Sequence, residues 1–416
     1  MNDNLLLIQI AYITGFLFLS VLAYIYLKKA KIPYTIGLVI IGIVIGYLAK
    51  HTSFVNDIKD FHLTPEIILY LIVPALIFSA ALGMKLNRFL SRITPILILA
   101  IPGLIIGTLI TGYLVGALTP LAMGSAMIFG ALISATDPVA VVAIFKEQKA
   151  PEDLAILVDG ESLLNDGTSM VMFSVVCTVV LSHKALGLVT LSEAALQFCY
   201  IFFGGIATGV VTTLVLYYLA FQGRKSPTVQ IAISLLIAYV SFIVAEKIGV
   251  SGVMSTVAAA VAYRELYTGK KDMDMHIHID YFWDFATFIA NSSIFLLLGL
   301  SEEFLYETFS RYKHLLPSLA IVIAAVLIAR IFVVFGSSIV ANKFCKHKIS
   351  MANQIVMHWG GLRGALPLAM ALSLTNADVG QNNRQIIVLF TLVIILFTLI
   401  VEGITIKPLM KKLKII

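Results

Sequence analysis

Long apolar runs alternate with short polar breaks from one end of the chain to the other. A helix of about 20 apolar residues crosses a hydrocarbon layer of ~30 Å. Cutting at charged loops and at Pro/Gly breaks predicts about thirteen spans: 4–27, 34–50, 65–83, 93–117, 122–145, 153–182, 191–221, 227–246, 251–267, 278–300, 315–342, 351–374 and 385–406. The runs at 34–50 and 251–267 are short. Those at 153–182 and 191–221 are long enough to tilt or run past the bilayer. The pattern holds no soluble domain, low-complexity tract or long linker, so an all-α polytopic membrane protein with a single transmembrane domain is expected.

Composition agrees with the pattern. The 416 residues are 60% hydrophobic and 12% charged, against roughly 25% charged in a soluble domain. The formal charge of +6 would suit nucleic acid if the bases clustered on one face. They sit instead in short loops between apolar runs, which points to the lipid bilayer and to no nucleic-acid partner. Of the 29 Lys and Arg, twenty fall on one set of loops and span ends and seven on the other. The positive-inside rule puts the larger set in the cytoplasm. A cell-membrane protein follows, with its N-terminus outside and its C-terminus cytoplasmic. The first span follows only MNDN, without a basic n-region, and is expected to be retained. Cys177, Cys199 and Cys345 have neither disulfide nor metal-ligand spacing.

One stretch breaks the apolar rule. Residues 130–172 carry Asp137 in the fifth span and Glu161 and Asp166 in the sixth. A charge at the bilayer centre costs about 2.5–3.5 kcal/mol on insertion scales and by default marks an ion or proton path. Pro138 removes a backbone donor and clashes with the preceding turn, so Thr136 and Asp137 should lie at a helix break with main-chain oxygens nearby. Transporters coordinate Na⁺ or H⁺ at such discontinuities. A plain proline kink would leave the adjacent acid without a purpose.

In DGESLLNDGTS, spacing sorts the polar residues onto two ledges. Ser162 and Asp166 are i,i+4 on one face, and Glu161 and Asn165 are i,i+4 about 100° away. A hard monovalent cation seeks oxygen ligands, by extension from the divalent ions. Asp137, Asp166, the Ser162 hydroxyl and the Thr136 main chain could supply them to Na⁺, with no other cofactor. Arg330 and Arg363 also lie within spans. At about 1.5 Å per residue, Arg330 is roughly 18 Å and Glu161 roughly 12 Å from the cytoplasmic ends of their helices. Those depths suit a structural ion pair.

The segment MHWGGLRGALPLAM places Gly360, Gly361, Gly364 and Pro367 around Arg363, which argues for a second broken helix. One interrupted span in each half points to inverted repeats with the site between them at mid-membrane. Glycines used only for close helix packing are the alternative. His358 is expected as an internal hydrogen-bond donor, and Asp159 and Glu402 as residues that snorkel toward a membrane face.

TDPVAV, GESLLNDG and GLRGALPLA resemble the signatures of the NhaP/NHE-type monovalent cation:proton antiporters. PALIF in the third span and FIANSSIFLLLG in the tenth extend the likeness over nearly the whole chain. The resemblance implies thirteen helices, usually a homodimer, in which a six-helix core with crossed, broken helices moves against a dimerisation domain. The core would be 93–182 and 315–406, and the scaffold 4–83 and 191–300. By motif match Thr136, Asp137, Ser162 and Asp166 fall on the ion site, with Asn165 in support, and Glu161 and Arg330 on a buried ion pair. The Asn165–Asp166 pair looks like the form associated with electroneutral exchange. One departure stands out: Ser79 occupies a position where relatives commonly carry an acid.

Burial disfavours the charged form of a carboxylate, whereas a bound cation favours it. Cation and proton should therefore exclude each other at Asp166, with Asp137 coupled to it. This predicts a secondary antiporter exchanging Na⁺ or Li⁺ for H⁺, not an enzyme, with K⁺/H⁺ exchange as the alternative. An intramembrane aspartyl protease would use two buried aspartates as a general acid–base pair but would not need the Ser162 and Asn165 ledges. A passive channel would need a continuous polar pore.

Overall fold

The computed structural model describes residues 2–30, 34–51, 65–84, 86–148, 150–182, 187–219, 226–268, 273–300, 315–345 and 348–416. Among the orientation bases, Lys31, Lys59, Lys85, Lys149, Lys184, Arg224, Lys225, Lys270, Lys271, Arg311, Lys313 and Lys346 lie outside the described residues. Regular structure among the described residues is entirely helical, and the thirteen predicted spans each have a counterpart. These are α1 (Asn2–Ala30), α2 (Tyr34–His51), α3 (65–83), α4 (Ile93–Leu118), α5 (Met123–Ile133 and Val139–Gln148), α6 (Glu152–Leu181) and α7 (Leu188–Leu219). They continue with α8 (Pro227–Lys247), α9 (Gly252–Thr268), α10 (Met273–Leu300), α11 (Leu316–Phe344), α12 (Met351–Trp359 and Ala365–Ser373) and α13 (Gln381–Lys412). Seven of them are long and apolar enough to span a bilayer by length and composition alone. The protein is a multi-pass membrane protein.

The helices pack in two groups. In one, α7 lies along α9, α9 along α3 and α8, and α10 along α2. In the other, α4 packs on α5 and α11, α5 on α6, and the second half of α12 on α13. In lipid, helix association depends on close packing, so small residues mark the tightest crossings. Gly42 of α2 and Gly299 of α10 meet at such a point, where a Cβ on either would fall within 3 Å of the other's Cα. Between α4 and α5, a Cβ on Gly130 would lie 2.5 Å from the Thr108 carbonyl oxygen and 2.9 Å from Gly112 N.

Four of these helices widen by one π turn. In α4 the turn is Leu99–Gly103, where Pro102 cannot donate to the helical ladder. In α11 it is Phe332–Gly336, just after Arg330, and in α13 it is Thr398–Glu402. The fourth is Ile68–Ile72 in α3. Such turns occur frequently at functional sites because they re-aim the side chains beside them. At one end of the bundle, Arg88 and Arg92 pair with Glu152 and Asp153 in the first turn of α6. Acids there also complement the positive helix end.

Candidate ion site at the crossing of two broken helices

Helix α5 is interrupted between Ile133 and Val139, and α12 between Trp359 and Ala365. The two interruptions lie against each other. The Asp137 N–H donates to the Leu362 carbonyl at 2.7 Å. Arg363 Nη1 in turn donates to the carbonyls of Ser134 and Ala135, each at 2.9 Å. A buried backbone carbonyl must find a partner. Here each broken helix satisfies the other, and the guanidinium sits on the negative end of the first half of α5.

The glycines allow this approach. An ideal Cβ on Gly364 would lie 2.5 Å from Asp137 Cβ, and one on Gly361 would lie 2.8 Å from Arg330 Nε. We expect Gly364→Ala to displace the Asp137 carboxyl, an overpacking cost of about 1–3 kcal/mol. The apparent affinity for the transported cation should fall, with less effect on the amount of folded protein. Cation titration of exchange by the purified variant checks this, and unchanged affinity would remove the steric argument.

Helix α6 supplies the facing wall. The hydroxyls of Thr136 and Ser162 are 3.0 Å apart. Asn165 Oδ1 accepts from the Thr136 N–H at 3.1 Å, and Asn165 Nδ2 donates to Thr136 Oγ1 at 2.7 Å. Thr136 thus bridges both ledges read from the sequence. Thr136, Ser162 and Asn165 are 2–3% exposed, whereas Asp137 and Asp166 are partly accessible. The two aspartates lie within electrostatic reach of each other. No hydrogen bond or ion pair joins Asp166 to another described residue. The next residue, Gly167, faces Met254 of α9, so α6 meets the first helix group one residue beyond Asp166.

Behind this wall, Arg330 grips Glu161 with both nitrogens, Nη1 to Oε1 and Nη2 to Oε2 (3.1 Å for the latter). Arg330 Nη2 also donates to the Met357 carbonyl at 3.0 Å, just before the break in α12. A cavity of about 20 Å³, room for about one water, is lined here by Ser134, Glu161, Asn165, Arg330 and Arg363 among others. The Nε atoms of both arginines are buried without a hydrogen-bond partner among the described residues.

One expectation is corrected, and two gain detail. The carbonyls of Ser134 and Ala135 each accept a hydrogen bond from Arg363. Glu402 does not snorkel: it is 2% exposed and within electrostatic reach of Arg363 and Arg330. The α13 π turn swings it inward. An acid inside the apolar run 385–406 was the available signal. His358 hydrogen-bonds the Arg330 backbone, as expected of an internal donor, while its Nδ1 is buried and without a partner among the described residues. Ser79 donates to the Trp283 carbonyl of α10 at 3.5 Å.

The family model for "Sodium/hydrogen exchanger, transmembrane" matches residues 16–412. The chain belongs to the sodium/hydrogen exchanger family. This exchanger is 36% identical over 395 residues to the Na(+)/H(+) antiporter NhaG of Bacillus atrophaeus, covering 93% of the chain and 71% of the relative. It is 31% identical over 388 residues to the Na(+)/H(+) antiporter ApNhaP of Aphanothece halophytica, covering 93% and 70%. In fold it is similar to the sodium proton antiporter MjNhaP1 of Methanocaldococcus jannaschii, with a TM-score of 0.76, 21% identity and coverage of 98% and 99%. The family is one of transporters, which fits a chain with acids inside its spans beside two broken helices.

Proposed function

We propose that this exchanger moves Na⁺ against H⁺ by letting the two compete for Asp166 and Asp137. Sodium/proton exchange as the overall activity follows from family membership. The residues that carry it are our reading. The observation behind that reading is the approach of two aspartates at the crossing, with the Thr136 and Ser162 hydroxyls 3.0 Å apart next to them.

Four oxygen donors from α5 and α6 suit a hard monovalent cation, and Asn165 holds Thr136 in place. Na⁺ requires ionised carboxylates, so protonation expels it, and loss of the proton readmits it. The titration belongs to the coupled pair. Arg330 neutralises Glu161, which leaves the two aspartates as the variable charge. The helices 93–182 and 315–406 form the moving core, and 4–83 and 191–300 form the scaffold, in agreement with the two packing groups. A homodimer built on the scaffold suits α7, whose Leu196, Tyr200, Phe203, Val211 and Val215 are exposed and need lipid or a second copy to cover them. The excess of cytoplasmic bases orients the protein in the cell membrane with its N-terminus outside. One-for-one, electroneutral exchange rests on the Asn165–Asp166 motif.

Reconstitution into proteoliposomes, with Na⁺, Li⁺ and K⁺ compared across pH, tests this reading. We expect Na⁺ and Li⁺ to dissipate an imposed pH gradient. Their apparent KM should rise about tenfold per unit fall in pH where one proton is displaced. Dissipation by K⁺ alone would shift the assignment to K⁺/H⁺ exchange. A KM independent of pH would remove competition as the mechanism.

A further inference from the structure

Arg363 holds the crossing together, yet no ion pair within 4 Å joins it to an acid among the described residues. Its side-chain hydrogen bonds go to two neutral carbonyls, and its Nε has no partner among the described residues. A buried guanidinium needs a counter-charge. The acids within electrostatic reach of Arg363 are Glu402 and Glu161. Arg330 already grips both oxygens of Glu161. That leaves Glu402.

The local backbone places Glu402 for this task. The π turn Thr398–Glu402 delivers two groups from α13 to one residue of α12. The Thr398 hydroxyl accepts from the Arg363 N–H at 3.1 Å, and Glu402 of the same turn, 2% exposed, lies within electrostatic reach of Arg363. The charged groups acting on Glu402 among the described residues are Arg363 of α12 and Arg330 of α11. Helix α2 meets this turn through Ile36, against Gly403. One turn on, Trp359 donates to the Thr405 hydroxyl at 2.7 Å.

We propose that Glu402 is a positioning residue of the exchanger: the counter-ion that balances Arg363, so that Asp137 and Asp166 are left to the transported cation. This rests on the reading of those aspartates as the ion site. Without Glu402, the unbalanced charge on Arg363 lies two residues from Thr136 and Asp137, at the carbonyls of Ser134 and Ala135. Its field then opposes both Na⁺ and H⁺ at the aspartates. The two affinities fall together, which a purely structural residue would not produce.

The test measures exchange by Glu402→Gln in proteoliposomes at alkaline pH, where proton competition is least. The apparent KM for Na⁺ should rise on the order of tenfold, the scale of one unit charge acting over several ångström at an effective dielectric near ~20. The acid limb of the pH profile should move to lower pH. Glu402→Asp keeps the charge and should stay within about twofold of wild type. A lower maximal rate with KM and pH profile unchanged would assign Glu402 to packing and overturn the proposal. If Glu402→Gln does not fold, the double variant Glu402→Gln/Arg363→Gln, which removes both charges, should accumulate as folded protein. A double variant as unstable as the single one would also overturn it. Asp166→Asn serves as the control: exchange by that variant would overturn the ion site, whereas a dead Asp166→Asn beside an unshifted Glu402→Gln would overturn only the role of Glu402.

Discussion

Asp166→Asn should insert, fold and purify like the wild type and yet fail to couple Na⁺ to H⁺. The amide has the shape of the carboxylate, and no hydrogen bond or ion pair to a described residue is lost with the charge. Helix α6 keeps its buried contacts at Glu161, Ser162 and Asn165. What disappears is the one α6 oxygen group at the crossing that is charged, partly accessible and free of a structural partner. An asparagine neither binds a proton in the working pH range nor offers Na⁺ a net negative charge. Dissipation of a pH gradient in proteoliposomes reads the outcome, with a thermal melt in detergent to verify folding. Normal dissipation by the folded variant would overturn the site.

Glu161 and Arg330 should behave in the opposite way, with a loss of folded protein. Both side chains are buried, 2% and 8% exposed, and the contact is bidentate. Removing either partner strands a charge in a low-dielectric interior, a cost of about 3–5 kcal/mol. Total stabilities are only about 5–15 kcal/mol, so Glu161→Leu or Arg330→Met alone should sharply reduce the yield of monodisperse protein. The double variant replaces the pair with apolar groups and should recover much of that loss. Recovery should be incomplete, because the Met357 carbonyl also loses its donor. Size-exclusion yield and thermal melts of all three variants decide the matter. A double variant no better than either single one would mean that the pair is not what these residues contribute.

The two variants separate kinds of buried charge that look alike in the sequence. Glu161 and Asp166 are five residues apart on one helix, each an acid in an apolar run. Their placement differs by about 140° around the helix axis, since each residue turns about 100°. One therefore faces Arg330 of α11 and the other lies within electrostatic reach of Asp137 of α5. Depth and charge matching along the chain suggested the first partnership. The accessibility of Asp166 became visible only when the helices were packed.

Glu402 marks where that kind of reading stops. Its position close to the cytoplasmic end of a span suggested exposure, because linear depth assumes a regular helix with every turn alike. The π turn Thr398–Glu402 widens α13 and changes which way the acid faces. Likewise Pro138 announced free carbonyls in α5, but nothing local to α5 could say that an arginine some 230 residues away would donate to them.

The order of apolar runs alone determined that the chain is an all-helical membrane protein of about thirteen spans, because each backbone in lipid must satisfy its own hydrogen bonds and needs a fixed length to cross. The prolines, glycines and intramembrane acids determined where two helices break. Which broken end meets which, and which acid is left partly accessible without a structural partner among the described residues, was decided only by tertiary structure. Those outcomes depend on rotations and crossings between helices distant in the chain, to which no local pattern of residues is sensitive.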